Sequence, residues 1–272
     1  MNLLIYAGPG PWRNEALATA AQFVGQVATS VTLVTGGGIR HADLLDDAVA
    51  QLGLPPDVQI KRRVVEGTPQ EAILTVAGEA TYDLVIFGRF QRPLERLLPL
   101  RRSDALTRRL RTAVLRVSGP VRPIIRRILL ASGGDQHTFA TARYAALMAT
   151  PLGASVTLLH VVSQQPVVFE ALAPLAADEA TFLAGDTPEA DTLRRAAAWL
   201  RERGITVATR VRFGLVLDEI LAELHEGDYD VLAVGTHHTA GPLDRVLLED
   251  LTGDLLDRCP RTVLVARRIA HD

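Results

Sequence analysis

At 272 residues and 48% hydrophobic, the chain holds enough apolar material for two cores, and its length favours two domains over one. No apolar run reaches the roughly 20 residues of a membrane-spanning helix, and Leu3 to Tyr6 is too short for a signal-peptide core, so the expectation is a cytoplasmic protein with no membrane partner. The single cysteine, Cys259, excludes an internal disulfide and a cysteine-type zinc site, while the net charge of −2 says little by itself.

In chain order, short Val/Leu/Ile runs alternate with alanine-rich amphipathic stretches, the pattern of buried parallel strands joined by helices. Strands are predicted at 3–7, 31–35, 59–65, 83–87 and 113–117. A helix is predicted over 14–27, with Leu17, Ala20, Ala21 and Val24 on one face and Gly25 loosening its exit. Glycine and two prolines in Ser118 to Pro123 mark a linker. Strands then resume at 127–132, 156–161, 205–212, 230–234 and 262–266.

The second set repeats the first. LLIYAG at 3–8 returns as ILLASG at 128–133, and VTLV at 31–34 as VTLL at 156–159. EAIL at 71–74 returns as DEIL at 218–221, YDLVIFG at 82–88 as YDVLAVG at 229–235, and AVLRV at 113–117 as TVLVA at 262–266. The offset grows from 125 to 147 between the second and third strands, which places an insertion at about 163–190. Its Val167, Val168, Phe169, Leu172, Leu175, Phe182 and Leu183 suit a lid, a dimerisation element, or packing on the parent domain. The expected domains are 1–120 and 121–272.

Right-handed crossovers leave ligands one default place, the crevice outside the carboxyl ends of the strands. The turns there supply the candidate site residues: Gly8 in GPGP, Gly133, Gly134 and Asp135 in GGDQ, Val161 on the neighbouring strand, and Gly88, Gly235, Thr236, His237 and His238 after the fourth strands. Two prolines remove donors from the first turn, which makes GGDQ the better cradle. The adjacent histidines lack a third ligand nearby, so no metal is expected. Between Arg89 and Arg127, twelve arginines stand against two acids, Glu95 and Asp104. This basic segment suits an acidic partner, a phosphate, or ion pairing with the acidic remainder, with Arg101, Arg102, Arg108 and Arg109 as the anion patch. Interleaved aromatics are lacking beyond Phe90, which disfavours nucleic acid. No G-x-S-x-G, H-E-x-x-H or G-x-x-x-x-G-K-[ST] pattern occurs, and the reading is a binding protein rather than an enzyme.

The glycine turn after strand one, VTLLHVV at 156–162, EGTPQEAI at 66–73, YDLVIFG and the closing AVLRV together resemble universal stress proteins, nearly end to end and twice. The resemblance implies two tandem Rossmann-like α/β domains, each a five-stranded parallel sheet of order 3-2-1-4-5 with helices on both faces. It also implies pairing of the two domains as a pseudo-dimer through their closing strands, or a homo-oligomer. Nucleotide-binding members carry G-x2-G-x9-G-(S/T) after the fourth strand and an adenine-holding aspartate after the first. Here Gly88 and Gly235 keep the first glycine. Gln91, Leu100 and Arg101 align with the other motif positions in the first copy, one residue short of that spacing, and His238, Glu249 and Asp250 in the second, with one extra residue in the loop. The aspartate aligns with Ala7 and Gly133. The expectation is a stress-response protein acting by partner or small-ligand binding, with ATP or AMP weak and no other cofactor. An ATP/AMP sensor with slow hydrolysis and a purely structural oligomerisation module are the alternatives.

Overall fold

Every predicted strand forms. In the computed structural model, which describes residues 1–38, 41–90, 105–120, 122–163, 179–235 and 251–267, the first repeat supplies β1 (Asn2–Tyr6), β2 (Ser30–Thr35), β3 (Gln59–Val64), β4 (Leu84–Gly88) and β5 (Ala113–Val117). The second supplies β6 (Arg127–Ala131), β7 (Ser155–Ser163), β8 (Val207–Gly214), β9 (Val231–Gly235) and β10 (Thr262–Ala266). Helices α1 (Arg13–Ala21), α2 (Val24–Val27), α3 (Asp43–Leu52), α4 (Pro69–Glu79) and α5 (Ala105–Arg109) serve the first repeat. Helices α6 (Asp135–Leu152), α7 (Glu179–Ala184), α8 (Pro188–Arg201) and α9 (Val216–Glu226) serve the second.

The chain divides into two compact units, Met1–Ile125 with Leu256–Asp272, and Arg126–Leu255. In the first, parallel strands run in the order β3-β2-β1-β4-β5, the expected 3-2-1-4-5, and β10 adds to β5 antiparallel with Leu264 opposite Leu115. β1 and β4 are buried along nearly their whole length, as strands covered on both faces must be. In the second unit the order is β8-β7-β6-β9, all parallel, which is 3-2-1-4 in repeat terms. The fifth strand of the second repeat, β10, thus belongs to the first unit.

The predicted helix over 14–27 is two pieces. At Gln22 and Phe23 the backbone tightens to Gln22 N–H donating to Thr19 and Phe23 N–H to Ala20. That turn buries Phe23 and aims the Gln22 amide at the Arg122 carbonyl and the Ile125 N–H. Side-chain hydrogen bonding to a segment a hundred residues away overrides local helical preference.

The repeated YD pair is a structural pin. Asp83 Oδ2 accepts from the Asn2 N–H at 2.7 Å, while Asp230 Oδ2 accepts from the Arg126 and Arg127 N–H groups at 2.7 and 2.9 Å. The Tyr82 hydroxyl meets Thr32 Oγ1 at 3.3 Å. In the second unit Tyr229 meets Thr157, at the equivalent position, and also donates to Glu223 at 2.8 Å. Each pair fastens the start of the unit's fourth strand to its first two.

Candidate functional site

In the first unit, Gly8 and Gly88 reach the carboxyl end of the sheet but are packed against the chain itself. A Cβ on Gly8 would lie 2.5 Å from both Thr35 Oγ1 and the Tyr6 hydroxyl, and one on Gly88 would lie 2.5 Å from the Trp12 carbonyl oxygen. Both glycines are therefore explained by close packing alone. Tyr6 is buried, which pushes its pKa up to about 12 against a hydrogen bond from the Gly36 backbone. Its ring meets Phe90 edge-on at 5.3 Å, and Phe90 stacks on Phe87 at 5.6 Å. Arg13 Nε donates to the Ala7 carbonyl at 2.7 Å, and its second nitrogen reaches the Leu44 carbonyl at 2.8 Å. The carbonyl of Ala7, at the position where nucleotide-binding relatives carry an aspartate, thus already has a cation on it.

The second unit differs at the turn after its first strand. Gly134, with φ +89°, opens α6 in a backbone conformation that favours glycine. It is exposed, and a Cβ built there meets nothing within 4 Å among the described residues. Thr138 fixes the turn: its hydroxyl donates to the Gly134 carbonyl at 2.7 Å and faces the Gly133 N–H at 3.3 Å. Asp135 pairs with Arg195, which Asp191 also holds at 2.7 Å, and accepts from Thr192 at 3.3 Å, so it ties α6 to α8. Val161 is 9% exposed on β7. Gly235 ends β9 against α6, with the Thr141 hydroxyl 3.0 Å from a notional Cβ.

The backbone corrects one alignment. Ala7 N–H donates to Val34 and Ser132 N–H to Leu159, so the second-unit equivalent of Ala7 is Ser132, not Gly133. Ser132 Oγ lies 2.9 Å from His160 Nδ1, and Phe182 stacks on that imidazole with centroids 5.2 Å apart and planes 22° apart. Burial lowers the pKa of His160, against the opposing pull of Glu189. Sequence reading passed over this group, although one signal was available: a histidine interrupting the apolar strand VTLLHVV.

Of the anion patch, Arg108 and Arg109 are exposed on α5, and Arg101 and Arg102 lie outside the described residues. So do Gln91, Leu100, Thr236, His237, His238, Glu249 and Asp250, and most of the expected insertion. No group of three or more His, Cys, Asp or Glu residues suited to a metal occurs among the described residues. No helix among them is long and apolar enough to cross a membrane.

A family model described as the universal stress protein family matches residues 125–267, just over half of the chain. No curated protein sequence matches significantly. Among solved structures, a universal stress protein from Archaeoglobus fulgidus DSM 4304 is similar at 14% identity and a TM-score of 0.66, with 99% of this chain and 97% of that one covered. A putative universal stress protein from Pseudomonas aeruginosa UCBPP-PA14 aligns at 18% identity and a TM-score of 0.67, covering 98% and 92%. A functionally unknown protein from Pseudomonas aeruginosa PAO1 aligns over the same shares at 18% identity and a TM-score of 0.69. At these identities the likeness concerns the fold.

Proposed function

Since the chain belongs to the universal stress protein family, we propose that it works by binding, with its two units unequal: the first is closed to ligand and the second takes a small molecule. The observation that carries this reading is the contrast between the glycine turns. Gly8 and Gly88 are filled by Tyr6, Thr35 and Trp12, whereas a Cβ on Gly134, near Ser132 and His160, would meet nothing within 4 Å among the described residues. ATP is a poor ligand for the second unit because Glu249 and Asp250 occupy motif positions that relatives reserve for Gly-Ser. A carboxylate about 5 Å from a phosphate, at an effective dielectric near 20, costs roughly 3 kcal/mol, or about a hundredfold in affinity. The weaker helix-end attraction, about 0.3–1 kcal/mol, does not offset it. The exposed Arg108 and Arg109 offer a basic surface to an acidic protein partner.

Titration calorimetry with ATP and AMP, together with mass spectrometry of whatever small molecule is released on denaturation, tests the reading. Binding of ATP should be no tighter than millimolar, and His238→Gly, Glu249→Gly and Asp250→Ser combined should strengthen it. Micromolar ATP binding by the native chain would overturn the reading.

A further inference from the structure

Ser132 follows β6 directly and leads through Gly133 and Gly134 into α6, so it stands at the carboxyl end of the second unit's sheet. Its amide is anchored on the Leu159 carbonyl at 2.8 Å, and its hydroxyl lies 2.9 Å from His160 Nδ1 on β7. The imidazole is clasped on its face by Phe182. Helix α7, which carries Phe182, is itself held down. Arg194 donates to the Leu183 and Gly185 carbonyls at 2.9 and 2.8 Å, and Arg210 of β8 pairs with Glu179 at 3.6 Å. A serine and a histidine are thus held in hydrogen-bonding contact near a glycine that no described residue crowds, at the end of the sheet where ligands bind in such folds.

We propose that Ser132 is an acyl-accepting nucleophile with His160 as its general base, and that it captures the acyl group of a small neutral carboxylic ester. Burial lowers the pKa of His160 and so favours the neutral imidazole, the form able to accept a proton. The charges nearby select against anions: Asp135, Glu189 and Asp191 gather at the starts of α6 and α8, and Arg195 is already bound to two of them. In the step itself, Ser132 Oγ bonds to the ester carbonyl carbon as its proton passes to His160 Nδ1. The bond from that carbon to the alkoxy oxygen then breaks, and the departing oxygen takes the proton from His160. The products are an acyl-serine and a free alcohol, with no other reactant consumed. This goes beyond the binding reading, which calorimetry on unmodified protein decides separately.

The probe is 4-nitrophenyl acetate on the full chain, followed by nitrophenolate release, intact mass and peptide mapping. Release should match acetylation of Ser132, vanish in Ser132→Ala, and slow about a hundredfold in His160→Gln. The native rate should rise with pH through the titration of a histidine, and the His160→Gln rate should not. An unmodified Ser132 in the native chain, acetyl groups confined to amines, or an unchanged rate in His160→Gln would each overturn the proposal. The first two outcomes need no variant to fold.

Discussion

Asp230 offers a clean measure of how the second unit is fastened. Its buried carboxylate accepts from two consecutive amides, those of Arg126 and Arg127, through one oxygen. Asp230→Ala removes both acceptor contacts. Hydrogen bonds to a charged group contribute about 1.5–3 kcal/mol each. Arg126 and Arg127 are exposed, so water can reach their amides and the lower figure applies to each. The expected loss is therefore about 3 kcal/mol, a large share of a typical stability of roughly 5–15 kcal/mol. Asp230→Asn can keep an oxygen in place without the charge, and should cost about 1 kcal/mol. Urea unfolding followed by Trp199 fluorescence reports on this unit, because Trp199 lies on α8 within it. An Asp230→Ala midpoint indistinguishable from the native one, at unchanged slope, would refute the view that this carboxylate pins β6 to β9.

The remaining expectations concern the turns, a cap, the basic face and pH. Gly88→Ala should destabilise the first unit by about 1–3 kcal/mol, since its Cβ would press on the Trp12 backbone. Gly134→Ala meets no described residue within 4 Å and should cost about 1–2 kcal/mol through its positive φ. Thermal melting distinguishes the two. Thr187→Ala removes the hydroxyl that accepts from the Ala190 N–H at the start of α8, and should lower stability by about 1 kcal/mol in the same assay. Replacing Arg101, Arg102, Arg108 and Arg109 by glutamine should shift either oligomeric state or anion affinity, read by light scattering and calorimetry at low and moderate salt. Folding holds the pKa of His160 below the usual histidine value of about 6.5. The unfolded chain therefore binds more protons as pH falls past that value, and the second unit should lose stability there. His160→Gln should flatten that slope in pH-dependent urea melts.

Strand positions were legible because buried parallel strands carry continuous Val/Leu/Ile runs, while their order in the sheet came only from the family resemblance. The break at Gln22 was not, because its cause is a pair of hydrogen bonds to Arg122 and Ile125, which local periodicity does not register. The glycines were found, but their roles were not. Gly88 and Gly134 look alike as letters, but among the described residues Trp12 crowds the first and nothing crowds the second. Ser132 and His160 escaped notice because 28 positions separate them and the parallel pairing of β6 with β7 brings them together.

The placement of β10 has a consequence for synthesis. β5 ends at Val117 and its antiparallel neighbour starts at Thr262, so 144 residues must be made between them. At about 5–20 residues per second, the outer edge of β5 waits on the order of 7–30 s for that partner. An unpaired edge in this interval is a template for other nascent chains, and a charge within the strand is one of the ways proteins blunt it. Arg116 breaks the apolar run of β5 and faces Val263 once β10 arrives. In the finished protein it is a buried guanidinium. While β5 is still an edge, that charge makes pairing with a foreign apolar strand costly, because the strand would have to desolvate it.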